Sequence, residues 1–233
     1  MQIEPIALFK SPFGSKFGIP KQSNLVPALE GRIVMLPRWR NADALRGIED
    51  FSYLWLVWGF SANKHAATSV MVRPPLLGGN QKMGVFATRS PFRPNPIGLS
   101  SVRLLGVDWD TPDGPVLRVG GADLMDSTPI YDIKPYVTYA DCHPEARSGF
   151  VDEHPIDRYN VEIVPQVMPQ LTPHDAEVLQ QVLSLDPRPH YKAPSTRVYG
   201  MPYKHFDVKF TVEGHTVKVI GLSHRTQPGM KSL

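Results

Sequence analysis

Apolar residues along this chain fall into short runs broken by proline and glycine, and the period is mostly that of strands. In the first half, IEPIALF (3–9), RIVML (32–36), SYLWLVWGF (52–60), MGVFATR (83–89) and SSVRLLGVDWD (100–110) read as strands. DTPDGPVLRVGGADL (110–124) reads as a turn at Asp113-Gly114 followed by another. NADALRGIE (41–49) is the one helical suggestion in this half, with Asn41 as its N-cap. About six short strands with such punctuation predict a small barrel or sandwich.

The pattern changes near 141–160, where DCHPEARSGFVDEHPIDRYN is polar and without period, as a linker is. Beyond it YNVEIV (159–164) reads as a strand and LTPHDAEVLQQVLSL (171–185) as the clearest helix. Thr172 suits its N-cap, Pro173 its first position and Asp175 its positive end. Val178, Leu179, Val182 and Leu183 make one apolar face. KHFDVKFTVEGHTVKVIGL (204–222) alternates as a hairpin turning at Glu213-Gly214, and the tail from Ser223 is expected to fray. The expected organisation is a β-rich domain over 1–150 and a small α+β domain over 155–233 docked on it.

Composition narrows the function classes. The 233 residues include 24 prolines and 18 glycines, which disfavours long helices. A net charge of +3 permits an anionic partner without requiring one. The single cysteine, Cys142, excludes an internal disulfide and a cysteine zinc cluster. No histidine pair has metal-site spacing on a helix, and no metal is expected. The start of the chain lacks a signal layout, and the longest apolar run, LWLVWGF, is too short for a bilayer, so the expected location is cytoplasmic. P-loop, GxGxxG, HExxH and GxSxG patterns are absent.

Three polar stretches remain as candidate chemistry. They are KFGIPKQSN (16–24), the proline loop RSPFRPNPIGLS (89–100), and DLMDSTPIYDIKPY (123–136). Proline fixes φ and pushes its predecessor to extended geometry, so residues 89–100 form a stiff loop that fixes Arg89, Arg93 and Asn95. The third stretch carries Asp123, Asp126 and Asp132, and aspartate is depleted in strands. It either turns sharply or lines a polar cleft. Each feature also has a plain structural reading. Asp126 to Pro129 fits a hydrogen-bonded turn. Arg89 and Arg93 fit surface arginines, Asp132 and Lys134 a solvated ion pair, Lys16 and Lys21 solvated lysines. Trp39, Trp55, Trp58 and Trp109 fit core or interface positions better than base-stacking platforms.

GVFATRSPFRPNPIGLS and DLMDSTPIYDIKPY, with PKQSNLV, ADALRGIEDFSYLWLV, VRPPLLGGNQKMGVFATR and DPRPHY, resemble the TsaA-like family, also called TrmO or YaeB. The resemblance covers most of the chain. It implies a mainly β protein, α+β overall, with a single-sheet β-barrel core rather than a Rossmann-type methyltransferase. It implies an S-adenosylmethionine-dependent methyltransferase acting on N6 of threonylcarbamoyladenosine at tRNA position 37. A homodimer is implied as well, with the cofactor near the subunit interface.

By that resemblance the cofactor site takes Lys21, Gln22, Ser23, Ser61, Ala62, Arg89, Leu99, Asp126, Ser127, Thr128 and Pro129. Asp132 is the candidate acceptor for an N6 hydrogen. Lys134 and Tyr136 orient it or contact RNA, and Arg93 and Asn95 reach phosphate or base edges. Two departures stand out. Family members often carry His-Gln at Ser61-Ala62, and many carry glycine at Ser127, so contacts there fall to backbone or to Asn63 or His65. Two other functions compete with this one: a non-catalytic RNA-binding barrel, and a small-molecule methyltransferase of the same fold.

Overall fold

A computed structural model describes residues 2–63, 69–188 and 197–225. Six of the strands in the first half build one sheet: β1 (Ala7–Lys10), β2 (Glu30–Met35), β3 (Tyr53–Gly59), β6 (Ile97–Asp108), β7 (Val116–Gly120) and β8 (Thr128–Pro135). They close into one antiparallel barrel in the order β1-β2-β7-β6-β3-β8, with β8 pairing back to β1. A barrel this narrow has no channel, and side chains fill it. Ala7, Phe9, Ile33, Leu54, Leu56, Val102, Leu117, Val119 and Ile130 point inward and are inaccessible to solvent.

Several expected boundaries shift. The run at 83–89 is strand only at Met83–Gly84 (β5), which pairs with Met71–Val72 (β4), and then becomes a 3-10 turn, Val85–Ala87. Residues 41–49 make 3-10 turns rather than an α-helix. Asn41 still caps the first one, its side chain accepting from the Asp43 N–H, but Gly47 at φ 82° interrupts the run. The proline loop ends sooner than expected, because β6 begins at Ile97. The third polar stretch splits: 121–127 is a connection, and Thr128–Pro135 is a full barrel strand.

After a single helical turn, α1 (Thr138–Asp141), the linker contains one 3-10 turn, Gly149–Val151. A second sheet follows in the order β10-β11-β12-β9, from Tyr199–Tyr203, Phe206–Glu213, Thr216–His224 and Asn160–Ile163. β9 runs parallel to β12, and the other pairs are antiparallel. Helix α2 (Pro173–Ser184) packs on this sheet through Val178, Leu179, Val182 and Leu183. The Thr172 hydroxyl accepts from the Asp175 N–H at its start. The sequence gives no sign of β10, since YGMPY carries glycine and proline; both are tolerable because β10 is an edge strand. Ser223, expected to fray, lies within β12, opposite Asp207.

The segment joining β1 to β2 belongs to both units. Its residues Phe13, Val26 and Leu29 are buried in the core formed by α2 and the second sheet. The Ala28 N–H donates to Gln181 Oε1 (3.1 Å), Arg158 donates to the Leu25 carbonyl (2.9 Å), and the Lys204 N–H donates to the Pro12 carbonyl (2.8 Å).

Candidate functional site

Of the four tryptophans only Trp58 enters the barrel core, 7% exposed. It starts the polar centre of the site. A Cβ on Gly98, directly opposite on β6, would stand 2.3 Å from the indole ring, so glycine is what lets the ring lie over that strand. Trp58 Nε1–H then donates to Ser100 Oγ (3.0 Å), and the Ser100 hydroxyl donates to Asp123 Oδ1 (2.6 Å). The Ser23 backbone and the Arg89 guanidinium also act on it electrostatically. Burial pushes the Asp123 carboxyl above the usual carboxylate range, and the Ser100 hydrogen bond, the backbone donors and Arg89 offset this only in part.

Around this carboxylate three of the sequence-predicted cofactor residues meet. Arg89 Nη1 donates to Gln22 Oε1 (2.5 Å), and Ser23 follows in chain order. Asn24, in the left-handed region at φ 63°, clasps β6 by donating to the Ser101 carbonyl (3.1 Å) and receives support from Gly121 through its own N–H (2.7 Å). Lys21 stands at the surface beside these. Local desolvation holds its ammonium below the ordinary range, partly offset by Asp186 of the second unit.

Ser61 and Ala62 leave β3 in a tight turn, the Ser61 N–H bonding to the Gly59 carbonyl (2.8 Å). Next to them Lys16 Nζ donates to Asn63 Oδ1 (2.5 Å), which fixes the amide orientation. Asn63 Nδ2 is then a buried donor with no partner among the described residues. His65 lies outside the described residues.

The outer face of β8-β3-β6 holds a second group. Cross-strand register places Asp132, Val57 and Leu99 in one row and Lys134, Trp55 and Ser101 in the next. Leu99 is 57% exposed although apolar. Asp132 and Lys134 form an open ion pair (2.9 Å), and Asp132 Oδ1 accepts from the Ile133 N–H (2.9 Å). Tyr136 packs against Trp55 and Tyr53, with ring centroids 5.7 and 6.2 Å away. Desolvation and the neighbouring Cys142 and Asp141 raise its phenol above the ordinary range, so it is a neutral O–H donor at pH 7.

Asp126 to Pro129 make the turn into β8. The Asp126 carboxylate accepts from the Ser11 N–H (3.1 Å) and from the Ser127 hydroxyl (2.9 Å), and lies 3.9 Å from Lys10. The Thr128 hydroxyl donates to the Met125 carbonyl (2.7 Å). Among the described residues no hydrogen bond or ion pair joins this turn to Arg89 or Gln22. Arg93 is drawn into its own loop, donating to the Thr88 carbonyl (3.2 Å), while Asn95 is exposed. The structure thus brings Gln22, Ser23 and Arg89 together, sets Leu99, Asp132, Lys134 and Tyr136 on one sheet face, and leaves Asp126 to Pro129 unbonded to either group among the described residues. Sequence reasoning placed Asp123 in the third candidate stretch but gave it no role, because an aspartate shows nothing of which side chains the barrel turns toward it.

The residues present fit an anionic carboxylate and an adenosine. Arg89 offers a guanidinium fork, Asn63 a donor with no partner among the described residues, and Leu99 an exposed apolar surface.

Comparison with known proteins follows the two-unit architecture. Residues 8–142 match the tRNA-methyltransferase O N-terminal domain and residues 157–225 the TrmO C-terminal domain. The chain is 37% identical over 232 residues to the tRNA (adenine(37)-N6)-methyltransferase of Escherichia coli (strain K12), covering 96% of this chain and 98% of that protein. It is 41% identical over 214 residues to a putative S-adenosylmethionine-dependent methyltransferase of Pseudomonas aeruginosa, covering 88% and 90%. A crystal structure of TrmO from P. aeruginosa superposes with a TM-score of 0.77 at 34% identity, over 97% of each chain.

Proposed function

The chain belongs to the TrmO family of tRNA methyltransferases, and from that premise we propose that it uses S-adenosylmethionine to methylate N6 of threonylcarbamoyladenosine at position 37 of tRNA. The observation that carries this reading is the near full-length match to a relative named for adenine-37 N6 methylation. The meeting of Arg89, Gln22 and Ser23 supports the cofactor's placement. In this reading residues 1–150 are the catalytic unit and 155–233 the supporting one. The tRNA substrate puts the reaction in the cytoplasm, and among the described residues no helix is long and apolar enough to cross a membrane.

When bound, S-adenosylmethionine supplies a methyl group on a sulfonium leaving group. The protein's work is alignment and electrostatics. Arg89, braced by Gln22, takes the ligand's carboxylate. Lys21 and the backbone at Ser23, Ser61 and Ala62 line the site, with the Asn63 donor in place of a longer side chain. Leu99 covers an apolar face of the ligand. Adenine N6 is a weak nucleophile because its lone pair is conjugated into the ring. Asp132 accepts the hydrogen N6 must lose, with Lys134 and the neutral Tyr136 orienting it. Asn95 and the free donors of Arg93 contact the RNA.

No hydrogen bond or ion pair among the described residues joins Asp126 to Pro129 to Arg89, and Phe86, Phe92, Ile97 and Leu99 expose apolar surface near the proline loop. Both facts support a homodimer in which a second copy covers that surface and completes the site with its own turn.

Nucleoside mass spectrometry of tRNA from cells lacking the protein is the test. The expected result is loss of N6-methylated threonylcarbamoyladenosine with its unmethylated parent retained, restored by the purified protein and S-adenosylmethionine. Persistence of the methylated nucleoside would overturn the reading.

A further inference from the structure

A row of like charge crosses the outer face of the barrel. Lys10 on β1 stands directly opposite Arg32 on β2, and Arg32 directly opposite Arg118 on β7. Like charges so placed destabilise a sheet, and the barrel core does not require them, because their neighbours Phe9, Ile33, Leu117 and Val119 are the inward residues. Asp108 relieves one end of the row by accepting from Arg118 Nε (3.0 Å). The other end is loose. Arg32 lies 3.9 Å from Asp108 and Lys10 3.9 Å from Asp126, and among the described residues neither cation makes a side-chain hydrogen bond. Beside these two cations the strand pair opens a cleft of about 430 Å³, within the size range of small-ligand sites. Leu8 and Val34, the next cross-strand pair on the same face, give it an apolar lining. Arg40 lines it beyond the end of β2, held by the Met35 carbonyl (3.0 Å) and by Asp113 (2.9 Å). Three cations thus meet one carboxylate in the lining. In the strand order β1-β2 lies across the barrel from β6-β3, so the cleft is separate from the face that carries Leu99 and Trp55.

We propose that this cleft seats one nucleotide of the bound tRNA other than the target adenosine, with Lys10 and Arg32 on its phosphate and Leu8 and Val34 against the face of its base. This rests on the reading that tRNA is the substrate. A phosphodiester brings one negative charge and acceptor oxygens to a lysine and an arginine whose donors are free of protein partners. Every base has an apolar face, so the lining asks for a nucleotide without reading which one. The cleft also adjoins the turn into β8, since Leu8 stands directly opposite Pro129. A strand of RNA held there passes beside Asp126 to Pro129.

The test is tRNA binding by the full chain across a salt series, for wild type, for Lys10→Ala combined with Arg32→Ala, and for Val34→Asp, with the melting temperature and oligomeric mass of each. In the charge variant the expected Kd at low salt is raised about tenfold, and the slope of log Kd against log salt is shallower by about 1–2. Its melting temperature is expected to be no lower than wild type, because a repulsion has been removed. Val34→Asp sets a carboxylate against the phosphate and should weaken binding to a similar degree. If wild type binds tRNA and neither variant changes Kd or slope, the proposal falls and the tRNA reading stands. If wild type does not bind tRNA, both fall. A loss in the charge variant alone would show a diffuse field in place of a seated nucleotide, and would overturn the proposal. A changed oligomeric mass in either variant would make this face a contact between copies, and would overturn it as well. Should either variant not fold, Arg32→Gln and Val34→Thr take their places, with smaller changes of the same sign expected.

Discussion

Ser127 sits at φ 62°, in the left-handed region where a side chain costs roughly 1–2 kcal/mol and glycine costs nothing sterically. Its hydroxyl makes only an exposed bond to the neighbouring Asp126. Glycine there should relieve more strain than the flexibility it adds, so Ser127→Gly is expected to stabilise the protein by about 0.5–1 kcal/mol in urea unfolding. If this turn meets the cofactor through its backbone, the Kd for S-adenosylmethionine stays at the wild-type value. Asp175 is a different kind of single-residue effect. Burial opposes its ionisation, but the bonds from Lys204, Tyr203 (2.7 Å) and Thr172 (2.8 Å) outweigh that and leave its pKa below the ordinary value. A depressed pKa means stability that is present above about pH 4 and is lost as pH falls through the folded value. Asp175→Asn should therefore be less stable than wild type at pH 7, by about 1–2 kcal/mol, with the gap closing below about pH 4 in a denaturation series. The capping role of Thr172 was legible in the sequence. The reach of Asp175 to Tyr203 and Lys204 was not, because those partners come from a strand pair far along the chain.

Residues 88–96 show how one element is made stiff. Besides its prolines, the loop is tied by the Ser90 N–H to Thr88 Oγ1 (3.3 Å), the Phe92 N–H to Ser90 Oγ (3.2 Å) and Arg93 to the Thr88 carbonyl (3.2 Å). Ordering a loop costs about 1–2 kcal/mol per backbone residue, and proline removes part of that cost from the unfolded side. Replacing Pro94 and Pro96 with alanine should thus lower methyl-transfer rate several-fold while the melting temperature moves little, because the loop carries almost none of the core. Arg93→Ala should flatten the salt dependence of tRNA binding; unchanged slope and affinity would assign Arg93 to holding the loop alone. At this scale the sequence was informative where a run was aromatic and apolar throughout, as in Tyr53–Gly59, or alternated cleanly, as in Phe206–Glu213. It misled where a short polar-apolar mixture could serve either geometry, as at 41–49, and it was silent at Tyr199–Tyr203, where glycine and proline masked an edge strand. A strand in Thr128–Pro135 was obscured by its charged residues, which the barrel simply turns outward.

The two sheets share the segment between β1 and β2, and that sharing was not readable beforehand. Phe13, Val26 and Leu29 have no common period, and their partners lie in the second unit. The loop carrying Gln22 and Ser23 is therefore braced from outside the barrel. Arg158→Ala combined with Gln181→Ala removes the donor to the Leu25 carbonyl and the acceptor of the Ala28 N–H, and should weaken S-adenosylmethionine binding several-fold without loss of barrel circular dichroism.

Synthesis from the amino end gives this brace an order in time. The Lys204 N–H that holds the Pro12 carbonyl emerges almost a whole chain after it, roughly 10–40 s later at ~5–20 residues per second. The ribosome finishes every barrel strand while residues 12–29 still lack the surface they settle on. The loop made first is thus locked last. Stalled nascent chains ending near residue 150 should resist protease through their strands yet be cut within 12–29, and release of the complete chain should remove that cleavage.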